Sequence, residues 1–164
     1  MDQINNASRQ GLFFGLNSGV ITTMGLICGL VQTKITVPLL IISIVSLAIS
    51  DGISEAYSIY ISKKAEIVND NTIAPLYSFI TLLISKVIIV VSFLIPLLFT
   101  TNLSYFKNMK WVFLWGLFLT VIFDYKLASM RNEHIMNYLV PHLFVIITVV
   151  GLTYLFGKLI DRYT

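Results

Sequence analysis

Asp51 and Glu55 stand four residues apart near the end of a long apolar run, in "SDGISEAYSIYISKK" at 50–64. On a helix that spacing puts both carboxylates on one face. Together they can grip one cation or, as like charges in a poorly solvated setting, hold one proton between them. The plainer alternative is a helix end already among lipid headgroups, with Lys63 and Lys64 just beyond it. Lys86, in "LLISKVIIVV", falls near the middle of another apolar run. A charge there costs at least about 2.5–3.5 kcal/mol. Snorkelling offsets part of that. An ion pair offsets more, and Asp51, Glu55 and Asp124 are the acids near apolar runs. Asp124 itself, in "VIFDYKLASM" beside Lys126, reads as a solvated helix end.

Other chemistry is thin. Glu133, His134 and Met136 offer a weak metal-binding cluster in a segment that reads as a loop, and His142 after Pro141 suits capping or a core hydrogen bond. The chain has no phosphate-binding GxxxxGK[ST], no HExxH, no paired CxxC and no GxSxG, so an enzyme is not expected. No tightly bound cofactor is expected either. The single Cys28 cannot form an internal disulfide. The net charge of +3 is scattered, which argues against a nucleic-acid partner.

The elements that must position these residues are membrane spans. Of 164 residues, 57% are hydrophobic and 12% charged, and the mean hydropathy is +0.86. A soluble domain carries about 25% charged residues, so lipid is the expected solvent. Five apolar segments, roughly 11–33, 35–61, 75–100, 111–129 and 137–158, are each long enough to cross a bilayer. They predict an all-α, multi-pass membrane protein forming one transmembrane domain over 1–164. Helices rather than strands are expected, because hydrocarbon leaves each segment to pair its own backbone. Pro38, Pro75 and Pro141 fall near span starts, where a missing N–H costs little, whereas Pro96 should kink the third span or end it early. Lys and Arg are shared evenly between the two faces, so charge does not set orientation. Tyr105 and Trp111 suit an interfacial aromatic belt. No cleavable signal peptide is expected.

Two helix faces carry further information. In "GLFFGLNSGVITTMGLICGL", Gly11, Gly15, Ser18, Thr22, Gly25 and Gly29 share one face. Small residues let another backbone approach closely. The approaching helix belongs either to the same chain or to a second copy, and the expected assignment of Gly11, Gly15, Thr22, Gly25 and Gly29 is a homodimer face. Asn17 and Ser18 add polar groups near mid-span. The second span has a serine stripe at Ser43, Ser46, Ser50, Ser54, Ser58 and Ser62, beside Asp51 and Glu55.

"GLNSGVITTMGLICGL" resembles the first helix of the vacuolar iron transporter family, written G-x-N-D-G-[IV]-[VI]-[TS]-T-x-x-[LIV]-x-x-G. "SLAISDGISEAYSIYIS" is similar to its second-helix pattern, through Asp51, Gly52, Ile53, Ser54, Ala56, Ser58, Tyr60 and Ser62. Pro75 followed by "IPLLF", and "VVGLTYLFGKLI" near the end, resemble its third and last helices. The resemblance implies a homodimer of five-helix subunits that exchanges ferrous iron or manganese for protons, along a path lined by the first helices. The family's acidic cytosolic insertion is missing, since only "SKKAEIVNDNTI" joins spans two and three. Family acids fall here at Ser18, Leu47 and Ile59, and a family methionine falls at Glu55. If a divalent cation passes, Asp51 and Glu55 are the expected ligands, with Asn17, Ser18 and Ser54 as weaker oxygen donors. Oxygen ligands of this kind suit manganese, ferrous iron or magnesium. Lys86 would serve as charge pair or gate. The alternatives are a scaffold or regulatory protein on the same fold, with Lys86 locking the carboxylates, and a carrier of a different solute.

Overall fold

A computed structural model describes residues 1–33, 35–66, 73–98 and 109–163. All regular structure among them is helical: α1 (Asp2–Gln32), α2 (Val37–Glu66), α3 (Ala74–Ser92), α4 (Leu94–Leu98), α5 (Met109–Arg131) and α6 (Met136–Tyr163). Five helices are long and apolar enough to cross a membrane, the third being α3 continued through α4. This is the architecture of a polytopic helical bundle. Side chains such as Ile42, Ile84, Phe144, Ile147 and Phe156 cover its outside. So large an apolar exterior is foreign to a protein dissolved in water and natural to one dissolved in lipid.

Local chemistry sets the helix ends. Pro75 occupies the first turn of α3, where its missing N–H is no loss. Pro96 cannot donate to the carbonyl four residues back, and the third span breaks at Phe93. At the end of α5, Asn132 turns left-handed, with φ 53°. The Glu133 N–H then reaches the Ala128 carbonyl at 3.0 Å, and the Asn132 N–H reaches that of Ser129 at 3.4 Å. These paired bonds satisfy carbonyls that the helix end leaves open, and they turn the chain back into α6. Several serine and threonine hydroxyls inside the spans bond to carbonyls one turn earlier, as Thr22 does to Ser18 at 2.8 Å and Thr120 to Gly116 at 2.9 Å. Such groups enter hydrocarbon already paired.

α1 is the central helix and packs on α2, α3, α5 and α6. Val20, Met24 and Ile27 are fully enclosed, together with Leu40 and Ile44 of α2 and Val90 and Phe93 at the end of α3. The small-residue stripe explains how so many helices fit around one. A Cβ on Gly11 would collide with the Ser78 carbonyl, and one on Gly15 would lie 2.5 Å from the Leu82 carbonyl oxygen. Farther along, a Cβ on Gly25 would come within 2.7 Å of Val149 Cγ1, and one on Gly29 within 3.3 Å of the Thr153 carbonyl oxygen. The expectation that Gly11, Gly15, Gly25 and Gly29 form a face toward a second copy is corrected. α3 and then α6 of the same chain cover that face, and the Thr22 hydroxyl is spent on its own helix. A small-residue stripe specifies close approach, not which helix approaches.

Candidate functional site

The Lys86 ammonium lies between the two carboxylates of α2, 2.5 Å from Asp51 Oδ2 and 2.6 Å from Glu55 Oε2. The four-residue spacing on α2 brings both acids to one side, and the packing of α3 against α2 delivers the lysine to them. The Lys86 side chain is 0% exposed, while Asp51 and Glu55 keep 30% and 24%. On α1, Ser18 Oγ donates to Glu55 Oε2 at 2.7 Å. A Cβ on the neighbouring Gly19 would press on Ile89 of α3 at 3.2 Å and reach the Lys86 stem at an ordinary 3.6 Å. One ammonium and two carboxylates leave a formal charge of −1 shared among three helices.

Position along the helices bears on the two readings of Asp51 and Glu55. Glu55 lies eleven residues before the end of α2, about 16 Å at 1.5 Å per residue. Lys86 lies twelve residues into α3, about 18 Å. A hydrocarbon core is about 30 Å thick, so the cluster stands well inside helices long enough to cross it and not at their ends. Lys86 is held there by ion pairing with Asp51 and Glu55, and Asp124 belongs elsewhere.

Of the weaker oxygen donors, Ser18 reaches Glu55. Ser54 is exposed on the outside of α2, where its carbonyl accepts from Ser58 at 2.8 Å. Asn17 lines a cleft of about 860 Å³ between α1 and α5, shared with Arg9, Phe13, Ser18, Leu127 and Arg131. Its Oδ1 is buried without a hydrogen-bond partner. Ser18 therefore touches this cleft on one side and Glu55 on the other. Glu133 accepts from the Tyr138 hydroxyl at 2.8 Å, and His134 Nδ1 accepts from the Met136 N–H at 3.4 Å. No three His, Cys, Asp or Glu side chains gather as metal ligands among the described residues. Trp111 is exposed at the start of α5 with the Lys110 ammonium 5.3 Å from its ring centroid. Tyr105 lies outside the described residues.

A second buried polar contact was not legible from either partner alone. Asp124 is 1% exposed and His142 8%, and His142 Nδ1 lies 3.2 and 3.1 Å from the two Asp124 oxygens. Asp124 is thus no solvated helix end; α5 continues for seven more residues to Arg131. The available signal was symmetry. Asp124 and His142 stand at nearly equal distances on either side of the short turn between α5 and α6, where antiparallel helices bring such positions together.

No protein-family model, curated protein or solved structure matches the chain.

Proposed function

We propose that this chain is a multi-pass membrane transporter of a cation, in which Lys86 is a tethered competitor for the site. The observation that supports it most is a buried ammonium bound by two carboxylates at mid-span, in contact with three helices. Asp51 and Glu55 are the substrate ligands, Ser18 orients Glu55, and Lys86 neutralises the acids between loads. A divalent metal such as ferrous iron or manganese suits the site. Two carboxylates with the ammonium withdrawn carry the charge that a dication cancels, and oxygen donors match such ions. Asn17, in the α1–α5 cleft, and Ser54, exposed on the outside of α2, would add oxygen ligands only after rearrangement. The motif resemblance to the vacuolar iron transporter family supports the same substrate class and a proton as counter-ion. Displacement of Lys86 by metal, or by protonation of its partners, gives the site two states whose balance the substrate shifts.

The functional unit in this reading is a homodimer. Since α3 and α6 cover the glycine face of α1, we place the contact between copies on the outer face of α2, where Ser46, Ser50, Ser54 and Ser58 are exposed.

The test is manganese and ferrous iron flux in proteoliposomes under a pH gradient. The double substitution Asp51→Asn, Glu55→Gln is expected to abolish flux while the protein stays folded. Unchanged flux removes the site. The same ion pair favours a second reading, a non-transporting scaffold in which Lys86 locks α2 to α3 permanently. Wild-type vesicles impermeable to every divalent ion in a panel, with folded protein, select that reading.

A further inference from the structure

The contact between Asp124 and His142 has no part in the cation site, yet it has the chemistry of one that binds a proton. His142 Nδ1 faces the Asp124 carboxylate, and Nε2 is buried without a hydrogen-bond partner. A buried polar atom left unpaired is costly and calls for an explanation. With the ring proton on Nδ1, donated to the Asp124 carboxylate, Nε2 is left with the open lone pair.

Its place in the bundle gives the pair a context. Gly116 of α5 lies against Met24 of α1, and Gly25 of α1 against Val149 of α6. α5 runs antiparallel to α1, so Asp124 falls level with about residue 16 of α1, and His142 with about residue 18, at the regular rise of a helix. Gly19 lies against the Lys86 stem, and Ser18 bonds to Glu55. The two clusters therefore occupy one layer of the bundle, on different flanks of α1. Asn17 and Ser18 of that layer line the α1–α5 cleft. Leu127 and Arg131, on its other wall, lie three and seven residues from Asp124 and share its face of α5. The cleft runs along α1 from Asn6 and Arg9 to Ile21, level with the pair, although Asp124 and His142 are not on its wall.

We propose that His142, held by Asp124, is a proton-binding site separate from the cation site, reached from the N-terminal face of the bundle through the cleft between α1 and α5. A proton delivered by water binds the Nε2 lone pair. Nδ1 keeps its hydrogen bond to Asp124, and the imidazolium and carboxylate cancel as a pair. Release returns the proton to water by the same path. The ionisable surroundings are sparse. From α5 the pair has Asp124, with Arg131 two turns away. α1 contributes no acid or base between Arg9 and Cys28, and the Cys28 thiol is directed to the Val150 carbonyl. On α6 itself, Tyr138 lies one turn earlier and donates to Glu133. This assignment divides the labour. Asp51 and Glu55, occupied by Lys86, take the cation, and His142 takes the counter-ion. That coupling, though not the proton site, rests on the transport reading.

The test is ¹⁵N NMR of the imidazole in full-length protein in lipid nanodiscs. The chain has two histidines, so His134→Gln leaves His142 alone. As pH falls from about 8 to about 5, Nε2 is expected to pass from the unprotonated to the protonated pattern while Nδ1 stays protonated. The Asp124→Asn variant is expected to displace or lose that change. Imidazole signals constant across the range overturn the proposal. The route is tested by Leu127→Cys in a Cys28→Ser background. A membrane-impermeant maleimide added on the N-terminal face is expected to label it, and no labelling overturns the cleft as the path. Neither readout requires transport, so an inactive flux assay leaves both decisive. Where flux is present, His142→Gln is expected to carry metal without proton counterflow, and retained counterflow overturns the coupling.

Discussion

Lys86 in mid-span is tolerable because two anions face it at hydrogen-bond distance. Removing only the lysine leaves two carboxylates side by side, and breaking a buried pair in this way costs about 3–5 kcal/mol. Lys86→Met is therefore expected to lower the thermal unfolding midpoint in detergent. Added manganese is expected to restore it, because a dication can take the place of the ammonium. A midpoint indifferent to millimolar manganese would argue that the acids do not hold a metal. The triple variant Lys86→Met, Asp51→Asn, Glu55→Gln should unfold close to wild type, since no charge is left unpaired. Ser18→Ala removes one donor from Glu55 and should cost about 1 kcal/mol, read from the same melts.

At the scale of helices, contact geometry separates glycines that look alike in sequence. A Cβ at Gly15 would meet Ser85 Oγ and the Leu82 carbonyl, whereas one at Gly151 would meet nothing within 4 Å. Gly15→Ala forces α1 from α3 and is expected to destabilise by about 1–3 kcal/mol. Because α3 carries Lys86, the same substitution should also weaken manganese-dependent stabilisation. Gly151→Ala gains helix propensity of up to about 1 kcal/mol with no collision, so its melt should match or exceed wild type. The pair of melts checks both statements. Equal effects would mean that α1 and α3 do not approach as closely as the contacts at Gly15 require.

For the whole molecule, the central position of α1 leaves α2 with an outward polar face. If two copies meet there, Ser54→Cys in a Cys28→Ser background should crosslink between chains in native membranes. Ile84→Cys, exposed on α3, should not. The reverse pattern would place the contact on α3 and remove the serine face from the proposed dimer.

The number of spans, their order and their helical nature were legible because hydrocarbon permits few solutions for a backbone, and each apolar run states its own length. The proline at position 96 likewise announced its break, a local effect of one missing N–H. Asp51 and Glu55 were paired by helix period alone. What remained open was every choice between partners. The glycine stripe of α1 fitted a second chain or the same one, and folding gave it to α3 and α6. Lys86 had three acids within reach on paper, and the packing of α2 on α3 chose two of them. Asp124 looked like a helix end until the turn at Asn132 folded α6 back and set His142 against it. Periodicity and composition act within a helix, whereas which side chains share a buried layer depends on how helices far apart in the chain come to pack.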